Sequence, residues 1–217
     1  MQPSLVVFDL DGTLIDSAPD MHRAVNRMLA DQGCAPLSLT DIRSMVGDGA
    51  AALIARALAA RHCINADPTQ ALAQFLEYYE AEPTAVTRTF PGVPETLKRL
   101  QTSGLTLAVC TNKPTGITNT ILERLAIDQF FVRVVGGDSL PFRKPDPRAL
   151  LEVIKGFGTP AQATLMVGDS EVDAATAHGA NVPFVLMTYG YHRGPIEEIS
   201  SVATLDHFHE LATLLHA

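Results

Sequence analysis

The chain has 217 residues, of which 47% are hydrophobic and 18% are charged, so it can form a sizeable core and a disordered chain is excluded. Its formal net charge of −8 argues against nucleic acid or an anionic membrane as the main partner. Because no run is long enough to span a bilayer and no basic segment leads into an apolar one at the N-terminus, we expect a cytoplasmic protein with no membrane partner.

The first predicted element is a buried strand over residues 5–8, where the sequence is continuously apolar and β-prone. Asp9 falls at the carboxyl end of this strand, Asp11 follows two residues later, and Gly12 breaks the extended run. Side chains two residues apart on an extended segment share a direction, so both carboxylates can face one cleft. Such a pair repels unless a cation lies between its members or one is protonated, which suits a magnesium site or a nucleophile with an acid/base. The alternative is a strand that ends in a solvated turn, because Asp and Gly are ordinary turn residues.

The pattern of the next segment, residues 17–85, predicts helices and no strand. Apolar residues recur at helical spacing in three groups, and glycines and a proline separate them. The residues that carry this periodicity are Met21, Val25, Met28 and Leu29, then Leu53, Ile54, Ala57 and Leu58, then Leu72, Phe75, Leu76 and Tyr79.

Beyond Pro91 the pattern alternates between helices and strands. Helices are predicted over residues 94–102, 115–125, 147–154, 171–178 and 207–215, and strands over residues 105–110, 132–135, 164–167 and 182–187. Such alternation indicates a parallel sheet covered on both faces. We therefore predict an α/β fold, a doubly wound, Rossmann-like parallel sheet core of residues 1–16 and 86–217. An all-helical cap of residues 17–85 is inserted after the first strand.

The three cysteines, Cys34, Cys63 and Cys110, are scattered along the chain and show no metal-ligand spacing. We expect them to be reduced and mostly buried thiols, as in a cytosolic protein.

Polar side chains follow the predicted strands, at the edge where ligands bind in open α/β folds. In chain order they are Thr111, Asn112, Lys144, Asp169 and Asp173. With Asp9 and Asp11 they describe a phosphoryl-transfer site. Asp9 is the candidate nucleophile that would carry the phosphoryl group, and Asp11 the general acid/base. Hard oxygens of Asp9, Asp169 and the Asp11 backbone carbonyl would hold Mg²⁺ as cofactor.

The remaining strand-end residues have supporting roles in this prediction. Thr111 and Asn112 would donate to the phosphate oxygens, Lys144 would offset their charge, and Asp173 would support the site. Each also has a plainer interpretation, because Thr111 could cap a helix, Lys144 could be a solvated loop lysine, and the two aspartates could occupy a helix first turn. If there were no site, all of these plainer interpretations would have to be true at once, at successive strand ends.

Substrate selection is expected from the cap. Gly47 and Gly49 precede a helix whose first N–H groups could bind an anion, and Arg43 and Arg56 could meet a substrate carboxylate. A simple interhelical turn and surface arginines are the alternatives. Asp48 is an awkward neighbour for a carboxylate, so we expect it to position the loop.

Four segments, in chain order, resemble the ordered motifs of the haloacid dehalogenase-like hydrolase superfamily over essentially the whole chain. They are Asp9-Leu10-Asp11-Gly12-Thr13-Leu14, Thr111-Asn112, Lys144-Pro145 and Gly168-Asp169-Ser170-Glu171-Val172-Asp173. The helical insert resembles the small cap of that superfamily. The segments around residues 46–50, 56–58, 111–114, 136–138 and 188–191 look like the phosphoglycolate phosphatase subfamily. The resemblance implies Mg²⁺-dependent hydrolysis of 2-phosphoglycolate to glycolate and phosphate.

Other functions remain open at this point. The substrate could be another small phosphate ester, a sugar phosphate or pyrophosphate, and a phosphosugar mutase would use the same aspartyl-phosphate chemistry while excluding water. A dehalogenase would need neither Asp11 nor a metal, and a phosphate sensor or scaffold would not need the Asp9 nucleophile. We expect a small-molecule phosphate ester as partner and a monomer or homodimer as the assembly.

Overall fold

The computed structural model describes residues 3–217, which form a parallel sheet with helices on both faces and a group of helices at the carboxyl edge of its strands. The strands are β1 (Leu5–Phe8), β2 (Ile15–Asp16), β3 (Arg88–Thr89), β4 (Thr106–Cys110), β5 (Arg133–Val135), β6 (Thr164–Gly168), β7 (Phe184–Met187) and β8 (Ala203–Leu205). The helices are α1 (Ala18–Asp31), α2 (Leu39–Met45), α3 (Ala50–Ala60), α4 (Pro68–Ala81), α5 (Val93–Thr102), α6 (Thr115–Arg124), α7 (Pro147–Lys155), α8 (Glu171–Gly179) and α9 (Glu210–Leu214).

The central strand of the sheet is β1, in the order β5-β4-β1-β6-β7-β8. Phe8 lies opposite Val109 of β4 on one side and Val167 of β6 on the other, in parallel register. The chain fills one side of β1 before it crosses to the other, which makes the carboxyl end of β1 the switch point of the topology. Residues that follow β1, β4 and β6 therefore meet at one edge.

Alternate residues of β1 enter two separate apolar layers. Val6 and Phe8 pack in the layer that includes α5, α6, α9 and α1–α4, whereas Leu5 and Val7 pack with α7 and α8. All four side chains are fully buried, which explains the continuous apolar run of the sequence. Burial of a ring such as Phe8 stabilises the fold by about 1.5–3 kcal/mol.

Helices α1–α4, called the cap below, form a bundle between the two strands of a short antiparallel pair. β2 enters the cap and β3 leaves it, with Ile15 opposite Thr89. Helix α1 buries a stripe at helical spacing against its neighbours, and α4 does the same with Ala71, Phe75 and Tyr79. The start of helix α4 is fixed by its N-cap, because the Asp67 side chain accepts a hydrogen bond from the Thr69 N–H and Pro68 occupies the first turn.

The entry and exit of the cap are held together by Asp20 of α1, whose side chain is buried. Its Oδ2 atom accepts hydrogen bonds from Val86 N at 2.9 Å, from Thr87 N at 2.7 Å and from Thr87 Oγ1 at 2.8 Å. Burial alone would raise the pKa of Asp20, but these hydrogen bonds hold its pKa below the usual value. The carboxylate thus joins the two ends of the inserted bundle.

The predicted fold class is confirmed, and the long elements lie within a few residues of their predicted positions. Three short strands were not predicted, because β2 and β3 have two residues each and the half-exposed edge strand β8 has three. The last helix begins at Glu210 rather than at residue 207, since the Glu210 carboxylate accepts from the N–H groups of Asp206 and His207 in the preceding turn. No helix of the described chain is long and apolar enough to cross a membrane.

The expectation for the cysteines is wrong at two of three positions. Cys34, after α1, and Cys63, after α3, form a disulfide across 29 positions of sequence, and both are only partly buried. Within residues 3–217 Cys110 is the free cysteine; it is buried, and burial raises the pKa of its thiol to about 12. Spacing could not reveal the disulfide, because it depends on how two cap loops meet in space.

Candidate active site

A cavity lies between the cap and the carboxyl edge of the sheet. Its core side is formed by the residues that follow β1 and β4, and its cap side by residues of α1, α3, α4 and the loop before α3. The lining consists of Asp9, Asp11, Thr111, Asn112, Lys113, Pro114 and Ile117 from the core, and Met21, Val46, Gly47, Gly49, Ala50, Leu53, Phe75, Leu76 and Tyr79 from the cap. The structure therefore brings Asp9, Asp11, Thr111, Asn112 and Gly47 to one cavity.

Lys144 connects two carboxylates beneath this cavity. Its Nζ atom lies 2.7 Å from Asp9 Oδ1 and donates to Asp173 Oδ1 at 2.6 Å, and only 2% of the residue is exposed. Burial alone would lower the pKa of Lys144, but Asp173 and Asp9 raise it above its usual value. Burial raises the pKa of Asp9 to about 6, against the opposing effect of Lys144. Lys144 is thus a buried cation of the site and not a solvated loop lysine.

Asp169, the first residue after β6, is fixed from two directions. Its Oδ1 atom accepts from Thr13 Oγ1 at 2.7 Å and its Oδ2 atom from Tyr191 N at 2.6 Å. Gly12 and Gly190 pack directly on it: a Cβ at Gly12 would lie 2.3 Å from Asp169 Oδ2, and one at Gly190 would lie 2.2 Å from Asp169 Cβ. Gly12 also has φ +86°, a backbone conformation that favours glycine. The glycine of the first motif is therefore needed for the close approach of Asp169.

Asp173 has a capping role as well as a role in the site. Its Oδ2 atom accepts from Ser170 Oγ at 2.6 Å and from Ser170 N at 3.2 Å, which forms a capping box at the start of α8. Its other oxygen binds Lys144. The two interpretations of this residue from the sequence are thus compatible, since one carboxylate begins the helix and orients the lysine.

Three buried carboxylates, those of Asp9, Asp169 and Asp173, offer oxygen atoms within 4.8 Å of one another and could hold a metal ion. The ammonium of Lys144 is the cation paired with two of them in the described chain. Burial and the neighbouring carboxylates raise the pKa of Asp169 well above its usual value, as expected where like charges meet away from water. A hard divalent cation fits this donor set, which consists of oxygens alone. The Asp11 backbone carbonyl remains a predicted ligand.

A family model described as haloacid dehalogenase-like hydrolase matches residues 6–187, which include all four motifs. The chain belongs to the haloacid dehalogenase-like hydrolase family. The phosphoglycolate phosphatase of Cereibacter sphaeroides is 45% identical over 212 residues, covering 97% of this chain and 96% of the relative. That of Rhodospirillum rubrum is 44% identical, covering 98% and 91%.

Solved structures give the same relationship. The crystal structure of a predicted phosphoglycolate phosphatase from Haemophilus somnus matches with a TM-score of 0.94 and 34% identity, covering 99% of this chain and 98% of that one. The resemblance inferred from the motifs is confirmed, and this hydrolase is a phosphatase.

Lys113 is a charged residue of the hydrolase site to which the sequence analysis gave no role. Its Nζ atom donates to both oxygens of Asp11, at 2.9 and 3.0 Å, and Ser17 Oγ donates to Asp11 Oδ1 at 2.5 Å. Burial alone would lower the pKa of Lys113, but Asp11 and the neighbouring Tyr79 raise it above its usual value. The signal for this residue was available, because Lys113 directly follows Thr111 and Asn112 after β4.

Asn112 lines the cavity, but its side-chain amide nitrogen is hydrogen-bonded to two backbone carbonyl groups. Its Nδ2 atom donates to Gly47 O of the cap loop and to Lys144 O, each at 2.9 Å. The residue therefore joins the cap loop to the loop that carries the buried lysine. Thr111 is buried in the lining, and its Oγ1 atom accepts from Lys113 N at 3.3 Å.

Arg56 does not line the cavity of the hydrolase in the described structure. Its guanidinium donates to Asp48 and, at 2.8 Å, to Met45 O, both in the cap. A second arginine that the sequence did not reveal, Arg193 of the core, binds Asp48 Oδ2 at 2.5 Å and Val46 O at 2.9 Å. Burial would raise the pKa of Asp48, but the two arginines hold it below the usual value. Asp48 thus joins cap and core.

Proposed function

We propose that this phosphatase hydrolyses 2-phosphoglycolate to glycolate and phosphate, with Mg²⁺ as cofactor and Asp9 as nucleophile. The observation that carries the chemistry is the position of Asp9, which borders the cavity, pairs with Lys144 and lies beside Asp169. The substrate is proposed from the relatives named phosphoglycolate phosphatase, which match at 44–45% identity over nearly the full chain.

The proposed reaction has two steps. In the first, a carboxylate oxygen of Asp9 forms a bond to phosphorus while the bond from phosphorus to the glycolate oxygen breaks, and Asp11 gives that oxygen a proton. In the second, Asp11 takes a proton from water, which attacks phosphorus and releases phosphate from Asp9. Lys113 and Ser17, which both donate to Asp11, would hold its side chain in position for both steps.

The other residues bind and orient the phosphoryl group in this proposal. Thr111 would donate to a phosphate oxygen, and Lys144 would offset the charge that grows there during transfer, oriented by Asp173. Asp9, Asp169 and the Asp11 backbone carbonyl would hold the magnesium ion, which when bound would draw charge from the phosphate oxygens. Gly47 and Asn112 would close the cap loop over the substrate. Arg56 would keep the loop in place through Asp48.

Phosphate release across a panel of esters tests this function. We expect the highest kcat/KM for 2-phosphoglycolate, lower values for hexose phosphates and nucleotides, and loss of turnover in EDTA that Mg²⁺ restores. A higher kcat/KM for a hexose phosphate would contradict the proposed substrate. Isomerisation of a sugar phosphate without phosphate release would indicate a mutase, and full turnover in excess EDTA would contradict the metal.

We also propose that residues 17–85 act as a cap on a core of residues 1–16 and 86–217, and that the enzyme works in the cytoplasm as a monomer or homodimer. The antiparallel pair of β2 and β3 at the two ends of the helical bundle supports this division. Disulfides are rare in reducing compartments, so thiol titration of the protein isolated under alkylating conditions tests the location: three free thiols per chain would agree with the cytoplasm, and one free thiol, with Cys34 and Cys63 joined, would contradict it.

A further inference from the structure

The cavity has one positively charged lining residue in the described chain, and that residue is Lys113. Its other charged lining residues are Asp9 and Asp11, and the cap contributes mainly apolar side chains such as Met21 and Phe75. Arg56, which had been expected to meet a substrate carboxylate, binds Asp48 instead. An anionic group on the substrate, other than its phosphate, therefore meets a favourable charge in this cavity only near Lys113.

Tyr79 of α4 places a hydroxyl group beside this lysine. The residue is 2% exposed, and across residues 3–217 its hydroxyl finds no hydrogen-bond partner of good geometry. Lys113 Nζ lies 4.7 Å from the centre of its ring, and the ring stacks on Phe75 at 5.6 Å. A buried hydroxyl without a good hydrogen bond is costly for folding, so such a group in a cavity wall indicates a ligand that completes it.

We propose that the Tyr79 hydroxyl and the Lys113 ammonium together bind the carboxylate of the substrate and select phosphate esters that carry one next to the ester oxygen. This subsite rests on the proposed function and gives it a specificity determinant. Lys113 donates to the two oxygens of Asp11, and an ammonium has three N–H donors, so these two contacts leave one donor on the side of Tyr79. Burial raises the pKa of Tyr79 to about 12, so at neutral pH the phenol keeps its proton and can donate it.

The position of Lys113 suits 2-phosphoglycolate in particular. Asp11 must reach the ester oxygen to give it a proton, and Lys113 holds both oxygens of Asp11. In 2-phosphoglycolate a single methylene group separates that ester oxygen from the carboxylate carbon. A cation in contact with the general acid is therefore also within reach of the carboxylate, while the hydroxyl of Tyr79 can approach it from the cap.

The experiment compares kcat/KM for 2-phosphoglycolate and for ethyl phosphate, which has the same ester but no carboxylate. Tyr79→Phe removes the hydroxyl and retains the ring that stacks on Phe75. We expect kcat/KM for 2-phosphoglycolate to fall about 10- to 100-fold, the range for loss of a hydrogen bond to a charged group, and that for ethyl phosphate to stay within about twofold. Tyr78→Phe is the matched control, because this neighbouring phenol binds Asp31 on the surface and should alter neither value.

The possible outcomes separate the subsite from the proposed function. If the wild-type enzyme prefers 2-phosphoglycolate and Tyr79→Phe keeps that preference, the subsite is wrong and the function stands. An equal loss for both esters would give Tyr79 a structural role only, which a lowered Tm of the variant would show independently. Equal wild-type kcat/KM for the two esters would overturn the proposed function and the subsite with it.

Discussion

At the scale of the residue, the site is dominated by charge that is held away from water. Asp9, Asp169 and Asp173 are less than a tenth exposed, and one ammonium, that of Lys144, is shared between Asp9 and Asp173. Burial raises the pKa of Asp9 to about 6 and the pKa of Asp169 well above its usual value. The arrangement is costly for folding and suited to binding a cation.

Asp9→Asn tests the nucleophile. Asn retains the size of Asp but lacks the anionic oxygen that would attack phosphorus, so we expect phosphate release to fall by at least about 1,000-fold. Steady-state phosphate release measures the change, and the circular dichroism spectrum shows whether the variant is folded. Near-normal turnover in folded Asp9→Asn would contradict the assignment of Asp9.

Gly12→Ala tests the contact between the first motif and Asp169. Gly104→Ala is the matched control, because Gly12 and Gly104 have φ values of +86° and +85°, but a Cβ at Gly104 would meet nothing within 4 Å. Both variants incur the backbone strain, of about 1 kcal/mol, and only Gly12→Ala displaces the Asp169 carboxylate. We expect Gly12→Ala to raise the Mg²⁺ concentration for half-maximal activity at least about tenfold, and Gly104→Ala to leave it unchanged. Equal metal dependence in the two variants would show that the contact has no such role.

At the scale of the element, the candidate site residues lie at the ends of the strands, and the residues that attach the cap to the core lie at the two ends of the cap. The strand ends could be predicted from sequence, because apolar runs such as residues 5–8 identify strands and the parallel topology brings their carboxyl ends together. The partner of Asp11 could have been predicted, because Lys113 directly follows Asn112 at the same edge. The partner of Asp48 could not, because Arg193 is brought to it by how two loops meet in space. The Cys34–Cys63 disulfide was missed for the same reason.

Asp20→Asn tests the attachment of the cap. Three hydrogen bonds from Val86 and Thr87 lower the folded-state pKa of Asp20, so the carboxylate stabilises the protein above its unfolded pKa of about 3.9. This stabilisation is lost as the pH falls through the lower, folded-state value. We expect Asp20→Asn to reduce the free energy of unfolding by about 1–3 kcal/mol at pH 7. The difference from wild type should shrink below about pH 4 in urea titrations. A difference that does not depend on pH would mean that the charge of Asp20 is not involved.

At the scale of the whole molecule, the cap and the core meet across the cavity through a small number of polar contacts. Asp48 of the cap binds Arg193 of the core, and Gly47 O accepts from Asn112. The loop of Arg193 also contains Tyr191, whose N–H donates to Asp169. Residues 189–194 therefore contact both the cap and Asp169, a carboxylate of the proposed metal site, and we expect closure of the cap over a small substrate to depend on this loop.

Arg193→Ala tests this link, with Arg56→Ala as its control, since both arginines bind Asp48 and only Arg193 joins it to the core. The side chains of Arg193 and Asp48 are 34% and 25% exposed, so loss of this ion pair between cap and core should destabilise the closed state by about 1 kcal/mol. We therefore expect Arg193→Ala to raise KM about fivefold for 2-phosphoglycolate and for ethyl phosphate alike. Added salt screens partly exposed charges, so wild-type KM should rise with ionic strength and that of Arg193→Ala should rise less. If Arg56→Ala instead raises KM for 2-phosphoglycolate alone, Arg56 contacts the carboxylate when the substrate is bound, and the cap closes by a different contact.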